Sequence, residues 1–403
     1  MNKIMFSYKK VIIIYLIVFL IVTTLSFYFF INFVNTDDIL LKKDLTCKFR
    51  EKIKASEFIT KIDGTLVKNN YIDTSEVGTS RVTIQYKNKY GIKVKKTFNV
   101  EVLDITKPTI IVNNPYIIEK GTILSLKDSI FCADDYDDYV DCQITGDYNL
   151  NKVGNYDLKI TATDFSNNKE EKDFTLKIVE KNNTQTKDKT DNTYTDFKEI
   201  KEKYKKDNTL IGLDISKWQE TVNYRRLKES GVEFVMIKIG GQTEINGLYI
   251  EDPRFKENIE NAIANDIKVG VYFYSYAKNE RDAKLQARWI VKKLRDYKIN
   301  LPIAFDWENW NQYTTFQISF NTLNKIANTF IKEVEKNNYQ GILYSSKYYL
   351  ENIWYQENYT KWLAYYTKNN DYKEKYLIWQ ICNDGRIDGI NGYVDIDIMN
   401  IKK

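Results

Sequence analysis

Residues 302–308 read PIAFDWE, an apolar run closed by two carboxylates on either side of a tryptophan. Alternate side chains of a strand point the same way, so Asp306 and Glu308 reach one side with α-carbons about 6.6 Å apart. The segment is one of a series. Strand-like runs at 211–216, 234–239, 269–276 and 302–307 alternate with amphipathic stretches such as 254–265, 280–297 and 319–337, where apolar residues recur at every third or fourth position. That rhythm predicts an α/β barrel. Beyond 341–345, the runs at 362–366, 377–381 and 394–399 follow with little helix between them, so the last third of the barrel is pared down.

Chemistry in such barrels gathers at the carboxyl ends of the strands. Acidic residues fall there in three places: Asp214, Asp306 with Glu308, and Asp395 with Asp397. Crowded carboxylates retain a proton near neutral pH on whichever group is more desolvated. A neutral carboxylic acid can protonate a leaving oxygen while a second carboxylate supports a cationic ring, which is what glycosidic cleavage requires. Trp218, Tyr272, Tyr274, Tyr276, Trp307, Trp310, Tyr344, Trp362 and Trp379 interleave with these acids and offer faces on which sugars stack. A lone acid ending a strand is ordinarily a cap or an ion-pair partner, and aromatic strands are ordinarily core. Three acidic positions in one barrel shift the reading towards catalysis.

The 403 residues correspond to two to four domains. With 43% hydrophobic and 14% aromatic residues, they can build real cores. There is no histidine. Ser/His/Asp and Cys/His hydrolases and His-ligated zinc peptidases are thereby excluded, and any hydrolysis rests on carboxylates. No metal or cofactor is called for. A net charge of +5 over this length is too dilute for a nucleic-acid groove.

Residues 11–33, VIIIYLIVFLIVTTLSFYFFINF, carry no charge and can cross about 30 Å of hydrocarbon as a helix. Lys3, Lys9 and Lys10 precede the run and Asp37 and Asp38 follow it. A single-pass anchor with the N-terminus in the cytoplasm and the rest outside is expected. The alternative, a cleaved signal peptide, is disfavoured by the bulky exit Phe27-Tyr28-Phe29-Phe30.

Between this anchor (residues 1–36) and residue 180 the sequence repeats with a period of 76. Val82 aligns with Leu158, Ile84 with Ile160, Phe98 with Phe174, Val100 with Leu176 and Val102 with Ile178. The alternating runs VTIQY, FNVEV, DLKIT and FTLKI predict two small antiparallel β sandwiches, at 37–104 and 105–180. The second, with KVGNYDLKITATD, resembles bacterial immunoglobulin-like repeats of surface proteins, and the first follows by the repeat. Of the four cysteines only Cys132 and Cys142 are placed to pair. Asp134, Asp135, Asp137, Asp138 and Asp141 form an acidic loop, solvated or else holding calcium through hard oxygen ligands. The sandwiches could grip wall polymer or protein partners, but a spacer role is preferred. Residues 181–208, rich in Lys, Asn, Thr, Asp and Glu, are expected to be a flexible linker, with a short charged helix possible at 196–206.

Residues 209–403 resemble glycoside hydrolase family 25, the muramidases also called Chalaropsis-type lysozymes. The resemblance rests on GLDISKWQ (212–219), VGVYFYSYA (269–277), DWE (306–308), YSS (344–346), KWLAYY (361–366), IWQI (378–381) and GYVDID (392–397), in that order. It implies a (β/α)5(β)3 barrel that cleaves the β-1,4 bond from N-acetylmuramic acid to N-acetylglucosamine in peptidoglycan. It also implies Glu308 as general acid, Asp306 as the residue orienting the substrate's acetamido group, and Asp214 and Asp395 on the floor of the pocket. Tyr272, Tyr276, Tyr344, Trp362 and Gln380 become candidate sugar contacts. Glu220 stands where the family often has Gly, and Asp397 where Asn is common.

A membrane-anchored extracellular muramidase for local wall remodelling accounts for anchor, spacer, linker and carboxylates together. An inactive wall-binding scaffold and a glycosidase of another amino-sugar polymer are the other readings. Direct attack by an enzyme carboxylate and substrate-assisted attack both remain open at this level. Glycan strands and the lipid bilayer are the partners implied, with wall-spanning proteins as further candidates.

Overall fold

The computed structural model describes residues 2–34, 38–123, 125–181, 194–243, 247–308, 310, 313–355 and 359–401. The chain divides into two compact units, Met1–Ile105 and Thr106–Lys403.

The first unit opens with the helix Asn2–Val34, whose window Val11–Tyr28 has a mean hydropathy of 2.6 and is exposed. By length and composition it suits a membrane anchor or a signal sequence. A β module follows. Its hairpin, Gly78–Asn88 with Lys93–Leu103, turns Val82, Ile84 and Tyr86 inward against Phe98, Val100 and Val102. Gly64–Lys68 flanks the hairpin on one side, and Thr46–Lys48 runs parallel to its second strand on the other.

The second unit begins with a module of the same strand order. Its hairpin, Gly154–Thr163 with Lys169–Val179, starts 76 residues after the first one and is flanked by Asp141–Thr145 and by the parallel strand Tyr116–Glu119. The purely antiparallel sandwich expected from sequence is therefore corrected in both modules. The first edge strand enters beside the last, a pairing that needs a long crossover, and the rest of the module supplies it. A two-stranded sheet, Thr109–Ile111 with Phe131–Ala133, completes this module, and Cys132 is disulfide-bonded to Cys142. Cys47 and Cys382 are buried thiols.

The rest of the second unit is a closed eight-stranded barrel. Its strands are β1 (Thr209–Ile215), β2 (Phe234–Gln242), β3 (Lys268–Tyr274), β4 (Ile303–Asp306), β5 (Gly341–Ser346), β6 (Lys361–Ala364), β7 (Ile378–Arg386) and β8 (Val394–Asn400). β1 to β7 run parallel, and β8 closes the ring antiparallel to both β1 and β7. The residues of β1 are all buried, as expected of strands covered on both faces. Helices α2 (Tyr224–Ser230), α3 (Phe255–Ala264), α4 (Glu280–Lys293), α5 (Tyr313–Phe316), α6 (Phe320–Glu335) and α7 (Lys347–Asn352) connect the first six strands. Among the described residues no α-helix lies between β6, β7 and β8.

Two expectations about the approach to the barrel are corrected. Of the linker expected at 181–208, residues 182–193 lie outside the described residues, but the remainder is folded onto the barrel. Thr195–Asp196 pairs with β7, and a first helix, α1 (Phe197–Tyr204), starts at the Asp196 cap and buries Phe197 and Ile200 in the barrel core. Phe197, Ile200 and Tyr204 recur at helical spacing, a stripe that the surrounding charges conceal in any composition window. The acidic loop is not simply solvated either. The Asp134 and Asp135 carbonyls accept from the Phe320 and Asn321 amides (2.9 and 3.0 Å), and Asp138 Oδ1 accepts from the Ser319 amide at 2.7 Å. These amides open α6 and otherwise lack intrahelical partners, and the negative loop also suits the positive end of the helix.

Candidate active site

Strand register assembles the site at the carboxyl ends of the barrel strands. Asp214 on β1 lies opposite Asp395 on β8, Tyr274 on β3 beside Asp306 on β4, Asp306 beside Tyr344 on β5, and Tyr344 beside Trp362 on β6. These residues, with Tyr272, Glu308 and Gln380, line a cleft of about 300 Å³. Trp218, 76% exposed, stands at its mouth with the Lys217 ammonium over its ring. A second cleft of about 480 Å³, lined by Trp310, Lys347, Tyr348, Tyr349 and Tyr365 among others, shares Glu308, Tyr344 and Tyr366 with the first. Glu308 thus stands on the wall common to two sugar-sized spaces.

The two acids of the D-x-E differ sharply in surroundings. Glu308 is exposed, whereas Asp306 is 3% exposed and its Oδ1 has no hydrogen-bond partner among the described residues. Burial pushes the Asp306 carboxyl well above the usual carboxylate range and Glu308 pushes the same way, while the Lys238 ammonium opposes both. Burial and the neighbouring Glu308 thus favour the neutral form of Asp306 in the free cleft. Trp307, between them in sequence, is fully buried and donates its indole N–H to the Ala277 carbonyl at 3.3 Å.

On the opposite side Gln380 organises the floor. It accepts from the phenols of Tyr344 (2.9 Å) and Tyr366 (3.1 Å) and donates from Nε2 to Asp214 Oδ2 at 2.7 Å. Both phenols aim at the amide oxygen, so its nitrogen is left to face Asp214. Burial, reinforced by Asp397, raises Asp214 well above the ordinary range. Burial and Asp214 push Asp395 up to about 9. Beneath them Asp397 is fully buried, is raised chiefly by burial, and accepts the Trp362 indole N–H at 2.8 Å.

Of the nine candidate residues, all but Tyr276 line the first cleft. Tyr276 lies past the end of β3 and tilts against Tyr274, which lines the cleft in its place. Trp362 reaches the cleft but is 1% exposed, set edge-on to Tyr272 and Tyr344. Sequence reasoning missed Lys238, Tyr366, Ser216 and Asn383. Lys238 had a signal, being a lone charge in the apolar run VMIKI on β2, in register with Tyr272. It is the only basic residue among the described residues lining this cleft, and its ammonium lies over the rings of Tyr272 and Tyr274.

Residues 213–390 match the model of glycosyl hydrolases family 25. The barrel is a family 25 glycosyl hydrolase domain. YegX of Escherichia coli K12 is 28% identical over 202 residues, covering 48% of this chain and 70% of YegX. An autolytic lysozyme of Clostridium acetobutylicum is 28% identical over 191 residues, 47% of this chain and 55% of that protein. Among solved structures, the autolysin LytC of Streptococcus pneumoniae, in complex with a synthetic peptidoglycan ligand, shares 22% identity at a TM-score of 0.43, over 60% of this chain and 56% of LytC.

Within this family 25 domain, Glu220 closes the turn Lys217–Gln219 with φ 49°, in the left-handed region that favours glycine. Asp397 has a different physical consequence. A carboxyl raised on folding binds its proton in the folded chain but not in the unfolded one, whose carboxyls titrate near 3.9. Stability therefore falls as pH rises across that window, which for Asp395 extends to about 9. The slope is about 1.4 kcal/mol per pH unit for each such group. The melting temperature is expected to fall between about pH 5 and 8. Asp397→Asn, which keeps the acceptor for Trp362, should flatten that fall and retain hydrolysis. A wild-type melting temperature that rises over this range, or an inactive Asp397→Asn chain, contradicts the assignment.

Proposed function

We propose that the chain is a peptidoglycan N-acetylmuramidase, cleaving the β-1,4 bond between N-acetylmuramic acid and N-acetylglucosamine by a substrate-assisted route. The observation that carries the reading is Asp306, buried with an unpartnered Oδ1, next to an exposed Glu308 on the wall between two clefts. A glycan laid through both clefts brings its scissile oxygen to Glu308. The N–H of the 2-acetamido group then supplies the donor that Asp306 Oδ1 lacks. That hydrogen bond favours ionised Asp306 and leaves the pair's proton to Glu308. Glu308 protonates the leaving oxygen, the C1–O bond breaks, and the acetamido oxygen bonds to C1. Water then opens this ring intermediate and returns a proton to Glu308, so the anomeric configuration is retained. Asp214 and Asp395, both held towards their neutral forms, line the floor beneath the ring with polar oxygens.

In this reading the N-terminal helix remains as a membrane anchor, with its lysines in the cytoplasm and the barrel on the wall side. The two β modules are read as immunoglobulin-like, and the barrel as the (β/α)5(β)3 type. The matching strand orders of the modules and the helix-free run from β6 to β8 support these readings. The test is reducing-end release by the purified chain from peptidoglycan and from chitin oligomers. Release from peptidoglycan alone is expected. Release from chitin alone marks a different amino-sugar glycosidase, and binding without release marks a scaffold.

A further inference from the structure

Strand Phe131–Ala133 of the second module is buried on both faces. Ile130 and Cys132 belong to the core of the module, but Phe131 and Ala133 belong to the core of the barrel. The alternation of a strand thus plants one edge of the module in the hydrolase domain. The Phe131 ring stacks on Tyr313 of α5 at 4.8 Å. Tyr313 packs edge-on against Trp307 at 5.7 Å, and Trp307 is the residue between Asp306 and Glu308. On the same side Asp138 Oδ1 accepts from both the Ser319 amide and the Thr322 hydroxyl at 2.7 Å. The stretch after the D-x-E is therefore held by the module at two places.

We infer that the second β module is a working part of the hydrolytic site, with Phe131 a positioning residue that seats Trp307 and so sets where Asp306 and Glu308 stand. This rests on the hydrolase reading for its kinetic consequence only. Trp307 faces away from the cleft and its two neighbours face into it, so a shift of the indole carries both carboxyls with it. Displacement of reacting groups by about 1 Å costs on the order of 100-fold in rate. The spacer role expected of this module is accordingly replaced by a structural one at the site.

The experiment uses the full-length chain in detergent. Phe131→Ala is expected to lower kcat roughly tenfold or more with KM within about twofold, because the sugar-binding clefts are untouched. Phe131→Tyr, which keeps the stacked ring, should restore kcat. With 15N-labelled tryptophan, the indole cross-peak of Trp307, assigned by its loss in Trp307→Phe, should move in Phe131→Ala, and this readout needs no substrate. If Phe131→Ala does not fold, Asp138→Ala at an exposed position takes its place, with the same fall in kcat and the same shift expected. An unmoved cross-peak, or wild-type kcat in a folded variant of an active enzyme, overturns the inference. A wild-type chain inactive on peptidoglycan sinks the muramidase reading instead and leaves the cross-peak to decide this one.

Discussion

Glu308→Gln is expected to lower hydrolysis of peptidoglycan by about 10² to 10⁴, the range that a positioned general acid contributes. The amide has the size and shape of the acid and keeps no transferable proton. Glu308 is exposed on the cleft wall, so no packing is lost on substitution. Folding, followed by the melting temperature, and glycan binding, followed by calorimetry, should both survive. The loss should appear in kcat with little change in KM, since only an interaction made in the transition state has gone. Turnover within about tenfold of wild type would remove Glu308 from the role of acid.

Asp306→Asn is expected to separate activity from stability. Activity should fall by about 10² to 10³, because the amide keeps a hydrogen-bonding oxygen but cannot supply the negative charge that turns the acetamido group into a nucleophile. Stability should move the other way. Burial holds the Asp306 carboxyl well above its ordinary range, so above that range the folded chain holds a proton there more tightly than the unfolded chain does. Asn has no such linkage, and the variant should melt higher than wild type at pH 8 with the difference narrowing towards pH 4. Equal melting curves at pH 8, or full activity, would contradict the assignment. The opposing signs are what a functional site built at some cost to stability shows.

Asp306 and Glu308 are legible in the sequence because they sit two apart at the end of an apolar strand, and they line one cleft although β4 itself stops at Asp306. Asp214 and Asp395 are legible because the strand ends can be found. What sequence leaves undecided is which acid is buried, since that depends on neighbouring strands. Asp306, the last residue of β4, is flanked by Tyr274 and Tyr344 on the neighbouring strands, whereas Glu308 lies past the end of the strand. Tyr276 is misplaced because period-2 alternation continues in the letters after β3 has ended at Tyr274. Lys238 and Tyr366 enter the site only once the barrel has closed. The repeat of 76 is visible in both the letters and the strands, since inward residues recur with it. The docking of the second module is not. IFCADD reads as a short apolar strand before an acidic loop, and nothing local tells that Phe131 faces another domain. The folded half of the expected linker was hidden in the same way, because three apolar residues on one helical face carry little weight in a charged window.

The central claim is that Glu308, working beside Asp306, cuts the glycan on the muramic acid side. It is tested most directly by reducing the fragments released from purified peptidoglycan with borohydride and identifying the terminal sugar alcohol. The account predicts reduced N-acetylmuramic acid at the new ends, released by the wild-type chain and absent with Glu308→Gln. Reduced N-acetylglucosamine at those ends, or muramic ends formed equally well by Glu308→Gln, would contradict it.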